Sequence, residues 1–274
     1  MTKISILGCG WLGLPLAKAI IAKGISVNGS TTSTEKIAVL KESGINPFLI
    51  NINRNEINSS FGKSLSLEME SFFNESSILI IDIPPKLRGG NTESFVDKIA
   101  FLIPFIEKST IEKVLFISST SVYGETNVLI TEETKPNADS ESGKQLITTE
   151  TLLLNNTNFK TTVLRFGGLI GEDRNPIKFL AGKENIENPD APINFIHQED
   201  CIGIILKIIE LNSWNQTYNA VAPFHPSREE YYTQKAKEQN LSLPKFNHEK
   251  ESTKKIISSA KIENELHYTF TEKP

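Results

Sequence analysis

The chain has 274 residues, of which 38% are hydrophobic and 23% are charged, so it can bury a large core within one or two domains. Its formal net charge is -4 and it has no block of five or six like charges, which argues against a nucleic-acid partner or an anionic membrane surface and leaves a small-molecule partner. The two cysteines, Cys9 and Cys201, lack the spacing of a zinc site or a disulfide framework, and no run of about 18 apolar residues predicts a membrane span. Because the lack of a disulfide framework fits a reducing compartment, we expect a cytoplasmic protein without a bound metal.

The N-terminal segment KISILGCGWLGLPLAKAIIAKGISVNGSTTS predicts a strand, a glycine turn, a helix and a second strand, which together form a βαβ unit beginning at residue 3. Gly8, Gly10 and Gly13 have the GxGxxG spacing of a dinucleotide-binding turn. In such a turn the first glycine permits the tight bend, the second lets the backbone approach a pyrophosphate, and the third lets helix and strand pack closely. The helix N-terminus then faces the phosphates. The alternative is a turn whose glycines serve packing alone, and we expect Trp11 to pack at the start of the helix.

The end of the second predicted strand bears on the choice of cofactor. NAD-selective versions of this unit place an acidic residue about 20 positions further on, where it binds the ribose hydroxyls. This chain instead has neutral residues from Asn28 to Ser33, with Lys36 nearby, and none of them would repel a 2′-phosphate. The pattern therefore favours NADP(H), with NAD(H) as the second choice. Alternatively, the hydroxyl residues and Glu35 only begin the next helix, whose apolar positions are Ile37, Leu40 and Ile45.

Strands and helices continue to alternate along the chain, which predicts a parallel sheet covered on both faces, the α/β class. The predicted strands are PFLININ, SSILIIDIPP, EKVLFISS and TYNAVAP, and the predicted helices cover residues 92–108, 143–154 and 199–211. Between Glu125 and Ser142 the chain is polar, and we expect a loop over the cleft. Ser227 is expected to cap a later helix.

Ligands of parallel sheets bind beyond the carboxyl ends of the strands. Ile83 and Pro84 follow one predicted strand at that edge, and Ser119 ends another. Asp82, at the same edge, either faces the cofactor or is a solvated turn carboxylate. The residues predicted to bind the cofactor are Gly8, Gly10, Trp11, Leu12, Gly13, Ser30, Thr31, Thr32, Lys36, Ile83 and Pro84.

Four segments together resemble one enzyme family: GCGWLG at residue 8, VLFISSTSVYG at 114–124, VLRFGGLIG at 163–171 and FIHQED at 195–200. They resemble the extended short-chain dehydrogenase/reductase family, the nucleotide-sugar epimerases and dehydratases, and most of all its atypical members. The resemblance implies a doubly wound Rossmann domain over residues 1–165 and a smaller C-terminal substrate lobe over residues 166–274, with an approximate, interleaved boundary. It also implies NAD(P)-dependent hydride transfer on a small, sugar-nucleotide-like substrate, and a homodimer as the common assembly.

The family's hydride chemistry uses a tyrosine as general acid or base, with a lysine four residues later, and this chain departs from that pattern. If Lys144 is the lysine, Ser140 stands at the tyrosine position. If the family's later glutamate is aligned on Glu150 instead, the pair becomes Ser142 and Leu146. Neither alignment supplies a phenol, so the chain resembles an atypical member that lacks the catalytic tyrosine.

The predicted catalytic residues are Ser119, Lys144 and Tyr123. Ser119 matches the family's catalytic serine or threonine, whose hydroxyl binds the reacting substrate oxygen, although it could equally cap backbone at a strand end. Lys144 would hold the nicotinamide ribose. Tyr123 is the only phenol close in sequence to Ser119, but the tyrosine at this place is more often a packing residue. We expect His197 to be structural as well.

Two functions remain open from the sequence. The first is an NAD(P)-dependent oxidoreductase or epimerase with a non-standard proton donor. The second is a non-catalytic protein that senses NADP(H) or a metabolite. Loss of a general acid typically costs a factor of about 10²–10⁴ in rate, which damages an enzyme but leaves binding untouched.

Overall fold

The computed structural model describes residues 3–52, 62–85, 93–126 and 128–273. Three positions of the predicted elements lie outside these residues: Asn53 at the end of a strand, Thr92 at the start of a helix, and Asn127 in the polar loop.

The strands are β1 (Lys3–Leu7), β2 (Ser26–Thr31), β3 (Asn46–Leu49), β4 (Ile78–Ile81), β5 (Lys113–Ser119), β6 (Leu129–Ile130), β7 (Lys160–Phe166), β8 (Gly168–Ile170), β9 (Phe195–His197), β10 (Thr217–Ala220) and β11 (Ile256–Ile257). Seven of them form a parallel sheet in the order β10-β7-β5-β4-β1-β2-β3. β4 is entirely apolar, and the central residues of β1 and β4, which include Ser5, are fully buried, as expected for strands covered on both faces. The predicted Rossmann-type α/β class is confirmed.

The strand order of this sheet locates the place for a ligand. From β1 the chain builds outward through β2 to β3, and then returns to place β4 on the other side of β1. Ile4 therefore lies opposite both Val27 of β2 and Ile78 of β4. The carboxyl ends of β1 and β4 flank this switch point, which is where open α/β sheets bind their ligands.

The helices are α1 (Gly13–Ala22), α2 (Glu35–Glu42), α3 (Gly62–Phe73), α4 (Phe95–Glu107), α5 (Glu141–Leu154), α6 (Gln198–Glu210), α7 (Arg228–Glu238) and α8 (Ala260–Glu265), with short 3₁₀ turns at Thr120–Tyr123 and Pro176–Phe179. α4, α5 and α6 confirm the three predicted helices to within three residues at each end. Ser227 caps α7 as predicted, and Glu230 completes a capping box.

The prediction for α2 was wrong at its C-terminus, because Ile45 is not part of the helix. α2 ends at Glu42, and Gly44 takes a φ of 77°, the left-handed conformation that commonly ends helices. The N–H of Gly44 donates to the carbonyl of Lys41 and the N–H of Ile45 donates to that of Leu40, the two hydrogen bonds of a Schellman motif. Ile45 is buried immediately before β3.

Helix α3 is absent from the predicted elements. Leu65, Met69 and Phe72 recur at the i, i+4, i+7 spacing of one helix face, and all three are buried. This spacing is the signal in the sequence that indicates α3. The polar segment predicted as a loop likewise contains a short strand, β6, which pairs with β11.

The chain divides into two compact units. The first comprises Met1–Ser119, Ser140–Leu164 and Ile208–Thr217, and the second comprises Thr120–Asp139, Arg165–Lys207 and Tyr218–Pro274. The second unit has its own core cluster, formed by Ile177, Ile193, Tyr231, Tyr232 and Ala236. The predicted boundary at residue 165 stays a prediction. None of the helices in the described ranges is both long and apolar enough to cross a membrane.

Candidate functional site

The three glycines of the turn after β1 have different environments. Gly8 takes a φ of 110°, and a Cβ there would lie 2.3 Å from the carbonyl oxygen of Asp82. A Cβ at Gly13 would lie 2.2 Å from the carbonyl oxygen of Gly8. Gly10 is exposed, and a Cβ there would meet no atom within 4 Å. Packing within the protein therefore requires Gly8 and Gly13, whereas the backbone at Gly10 remains open to a ligand.

Strand β2 holds this turn in place through Ser30. The N–H of Gly8 donates to Ser30 Oγ at 2.9 Å, and the N–H of Cys9 donates to the Ser30 carbonyl at 2.7 Å. Ser30 is 2% exposed. Its hydroxyl thus positions the turn, a role that the sequence did not indicate. Leu12 is also buried in this turn, and Trp11 is half-buried.

The first turn of α2, shortly after β2, carries both an acidic and a basic residue, Glu35 and Lys36. Lys36 and Thr32 are exposed, while Thr31 is buried and its Oγ1 accepts a hydrogen bond from the N–H of Ser33 at 3.1 Å. The Ser33 hydroxyl also donates to the Glu35 carboxylate, which lowers the pKa of Glu35. A negative charge therefore lies two positions beyond the neutral segment Asn28–Ser33 and three positions from the exposed Thr32.

Asp82 follows β4, and its N–H donates to the carbonyl of Leu7 at 2.9 Å. The residue as a whole is half-buried, but its carboxyl group is enclosed and accepts a hydrogen bond from the backbone N–H of Gly13. Burial raises the pKa of this carboxyl from 3.8 to about 8, against the opposing effect of the Gly13 hydrogen bond. The alternative of a solvated turn carboxylate was wrong.

The residues near Asp82 at the glycine turn include Cys9, Ile83 and Pro84. Burial, and then the negative charge of Asp82, raise the pKa of the Cys9 thiol to about 12, while the positive charge of Lys36 acts in the opposite direction. Cys9 is therefore an unreactive thiol in the turn. Ile83 is half-buried with its Cγ2 3.0 Å from the Cβ position of Gly8, and Pro84 is exposed.

The end of β5 and helix α5 hold the residues compared with the family's catalytic pair. Ser140 lies before the first turn of α5, where its Oγ accepts a hydrogen bond from the N–H of Gly143 at 3.1 Å, so it is the helix cap. Lys144 is exposed. Ser118 Oγ donates to the buried Glu150 carboxylate at 2.5 Å, and the adjacent Ser119 is half-buried.

These contacts show which face of α5 points at β5. Glu150 reaches the end of β5, and Leu146, one turn earlier, is 4% exposed. The alignment on Glu150 thus corresponds to the face that packs against the sheet, with Ser142 and Leu146 at the positions of the family's pair. Lys144 lies on another side of the helix, about 160° around the axis from Leu146 and about 120° from Glu150, since successive residues of a helix are rotated by about 100°.

Tyr123 belongs to a buried polar network in the second unit. Arg165 Nη1 donates to Tyr123 Oη at 2.6 Å, and Tyr123 Oη donates to Asn219 Oδ1 at 2.8 Å. The N–H of Asn219 donates to Glu132 Oε1 at 2.8 Å. Burial raises the pKa of Tyr123, partly offset by the charge and hydrogen bond of Arg165. Because its hydroxyl is committed on both sides, these contacts favour the packing interpretation of Tyr123.

The FIHQED segment anchors the C-terminal tail. Asp200 is fully buried and accepts hydrogen bonds from Tyr268 Oη at 2.8 Å and from the N–H of Thr271 at 3.0 Å. His197 Nδ1 accepts one from the N–H of Glu199 at 3.3 Å, at the start of α6. Both side chains have structural roles in these contacts.

A comparison with known proteins places the chain in a family. It is 32% identical over 271 residues to the protein YeeZ of Escherichia coli strain K12, a match that covers 98% of this chain and 96% of YeeZ. The chain belongs to the YeeZ family. No protein-family model matches it.

Solved structures show that this chain has the fold of the extended short-chain dehydrogenases/reductases, as the sequence motifs predicted. UDP-glucuronic acid 4-epimerase from Bacillus cereus, in complex with NAD, matches with a TM-score of 0.80 and 18% identity over 99% of this chain and 93% of that chain. A short-chain dehydrogenase/reductase superfamily protein from Agrobacterium tumefaciens with bound NAD matches with a TM-score of 0.77 and 13% identity over 99% and 93%. At these identities the likeness concerns the fold.

Proposed function

We propose that the protein binds a nicotinamide dinucleotide at the turn from Gly8 to Gly13. The observation that carries this proposal is the open backbone at Gly10 between two glycines that packing requires. This turn lies at the switch point of the sheet and leads into α1, whose N-terminal N–H groups and dipole favour an anion. Gly10 would lie against the pyrophosphate, and Ser30 would hold the turn in the binding conformation.

We propose NADP(H) as the preferred form, with NAD(H) as the second. Thr32 is exposed directly after β2, and Lys36 is exposed in the first turn of α2, where its positive charge would attract a 2′-phosphate. The charge of Lys36 also lowers the pKa of Cys9 in the glycine turn, against the effect of burial. Glu35 opposes this preference, because its ionised carboxylate lies next to Lys36 in the first turn of α2. The preference depends on Lys36 outweighing Glu35.

We further propose that the protein is an NAD(P)-dependent epimerase-like oxidoreductase acting on a small substrate of the sugar-nucleotide class. A bound nicotinamide supplies hydride transfer. Ser119 is half-buried at the carboxyl end of β5, where its hydroxyl would orient the reacting oxygen of a substrate. The NAD complex of the Bacillus cereus UDP-glucuronic acid 4-epimerase, which shares the fold, supports this choice of substrate class.

A non-catalytic NADP(H)-binding sensor is the second candidate, and the arrangement of α5 favours it. The face of α5 toward β5 carries Leu146 and the Ser118-bound Glu150, without a phenol, while Lys144 is exposed. Tyr123 is held by its buried partners. Such a protein would retain cofactor affinity with no turnover.

Fluorescence titration with NADPH tests the binding proposal. Gly10→Asp should abolish binding, because its carboxylate would occupy the approach of the pyrophosphate. Ser26→Asp is the control, because it adds the same carboxylate at an exposed position, at the end of β2 opposite to the glycine turn. An unchanged dissociation constant for Gly10→Asp, in a folded protein, would remove the proposed site.

A product assay separates the two candidates. The protein is incubated with NAD+ or NADP+ and with UDP-glucose or UDP-glucuronic acid, and the sugar nucleotides are separated by chromatography. Conversion that Ser119→Ala reduces by about 10²-fold or more supports the enzyme. Tight cofactor binding without conversion or hydride exchange supports the sensor.

We also propose a cytoplasmic protein whose partner is a small molecule and which assembles as a homodimer without nucleic acid or membrane. Both cysteines are buried and neither forms a disulfide bond, which suits a reducing compartment. Sedimentation equilibrium would give the mass of the assembly, and a monomer at micromolar concentration would contradict the dimer.

A further inference from the structure

The Asp82 carboxyl lies beside the glycine turn proposed to bind the pyrophosphate. It lies between the end of β4 and the start of α1, with its Oδ2 3.1 Å from the Cβ position of Gly13. The backbone N–H of Gly13, the first residue of α1, donates to it. Leu12, the N-cap residue of α1, makes no side-chain capping hydrogen bond. The acceptor for the Gly13 N–H is instead the side chain of Asp82, which follows β4.

The positive N-terminal end of α1 would stabilise both a dinucleotide pyrophosphate and an ionised Asp82. The partial positive charge of a helix N-terminus is confined to its first turn, where unpaired N–H groups stabilise an anion. The phosphates would approach at Gly10, three residues before Gly13, while Asp82 occupies the buried side of the same turn. Two like charges so close in a poorly solvated place disfavour each other, and the one that can be neutralised is the carboxylate.

The surroundings of Asp82 offer little to neutralise its charge. Within the described ranges, burial and the Gly13 hydrogen bond are what act on its pKa. The pKa of Cys9, in the glycine turn, is raised to about 12, so its thiol stays neutral through the physiological range. The positive charge of Lys36 acts on Cys9 and lowers its pKa. β5, on the other side of β4, contributes the segment Phe116–Ser118, which has no titratable side chain.

We propose that Asp82 takes up a proton when the dinucleotide binds, so that cofactor affinity depends on the protonation of this buried carboxyl. The inference rests on the proposed function of the glycine turn. A neutral Asp82 can still accept the Gly13 N–H through its carbonyl oxygen, which keeps the turn intact while removing the charge beside the phosphates. Affinity is therefore highest when the carboxyl is protonated and falls as pH rises.

Isothermal titration calorimetry with NADPH, in two buffers of different ionisation enthalpy, measures the proton uptake directly. At about pH 9 the wild-type protein should take up close to one proton per cofactor, and its affinity should fall by up to about tenfold per pH unit above about pH 8. Asp82→Asn keeps the shape and the acceptor for Gly13 but cannot ionise. It should bind without proton uptake, and about tenfold more tightly than the wild type at about pH 9. Asp97→Asn, the same change at an exposed position of α4, is the matched control and should behave as the wild type.

The outcomes separate this inference from the proposed function. Binding of NADPH with no proton uptake by the wild type overturns the inference and leaves the cofactor site standing; this measurement needs no variant. Full pH dependence retained in Asp82→Asn also overturns it. Absence of binding by the wild type at about pH 6.5, with NADPH and with NADH, removes the proposed site and the inference together.

Discussion

Replacement of Asp82 by Asn should make the stability of the protein less dependent on pH, without any cofactor present. The native state holds the Asp82 carboxyl in a buried place that raises its pKa from 3.8 to about 8. The native state therefore binds a proton that the unfolded chain has released between these two values. The group contributes most stability below about pH 4, loses it as pH rises toward 8, and adds no further pH dependence above that.

The size of the effect follows from proton linkage. Where the native state holds one more proton than the unfolded state, the free energy of unfolding falls by about 1.4 kcal/mol per pH unit. From about pH 5 to about pH 7.5 the wild type should thus lose about 3 kcal/mol that Asp82→Asn does not lose. The difference in slope is the quantity to compare, since the buried amide adds a pH-independent offset of its own.

Urea unfolding at a series of pH values, with the free energy of unfolding extrapolated to water, measures both slopes. Asp97→Asn, at an exposed site in the first turn of α4, controls for the removal of one carboxylate from the same unit. Equal slopes for the wild type and Asp82→Asn would show that the carboxyl is not buried in the native state. The burial argument, and the proton uptake inferred from it, would then both fail.

Three further experiments test other contacts. Gly13→Ala should lower the free energy of unfolding by about 1–3 kcal/mol, because its Cβ would lie 2.2 Å from the Gly8 carbonyl oxygen. Gly10→Ala should change the free energy of unfolding by no more than about 0.5 kcal/mol. Chemical denaturation compares the two variants, and equal losses would contradict the packing argument. Tyr123→Phe should cost about 1–3 kcal/mol, because two buried hydrogen-bond partners lose their common hydroxyl, and an unchanged melting temperature would count against the network. Glu35→Gln should tighten NADPH binding about two- to fivefold and leave NADH binding nearly unchanged, because it removes a negative charge that repels the 2′-phosphate. An equal effect on both cofactors would show that Glu35 does not lie near the 2′-phosphate.

The sequence was sufficient for those parts of the fold that follow from local patterns. The βαβ unit, the glycine turn and the three predicted helices depend on periodicity and on turn residues within short windows. The correct end of α2 could also have been predicted from the sequence, because Gly44 is the usual residue for the left-handed position after a helix. Helix α3 was missed although a local pattern indicated it, because the helical spacing of the buried residues Leu65 and Met69 is interrupted by polar residues.

The candidate site was less predictable, because its decisive contacts join residues that are far apart in the chain. Ser30 was expected at the ribose, yet its hydroxyl accepts the N–H of Gly8. Asp82 was known only as a strand-end carboxylate, and its burial against Gly13 depends on β1 and β4 being neighbours. A motif specifies which residues meet a ligand in general, but the side chains that hold the motif in place depend on the strand order.

The choice between enzyme and sensor depends most directly on where a proton donor could lie. Ser140 precedes α5 and its hydroxyl is used as the cap, so the alignment through Lys144 puts the family's tyrosine position outside the helix. The alignment through Glu150 puts it at Ser142, with an apolar Leu146 in place of the lysine. α5 therefore offers no phenol and no buried ammonium in either alignment. If the protein transfers hydride, the proton must come from a group other than the family's pair, and without such a group the glycine turn would serve binding alone.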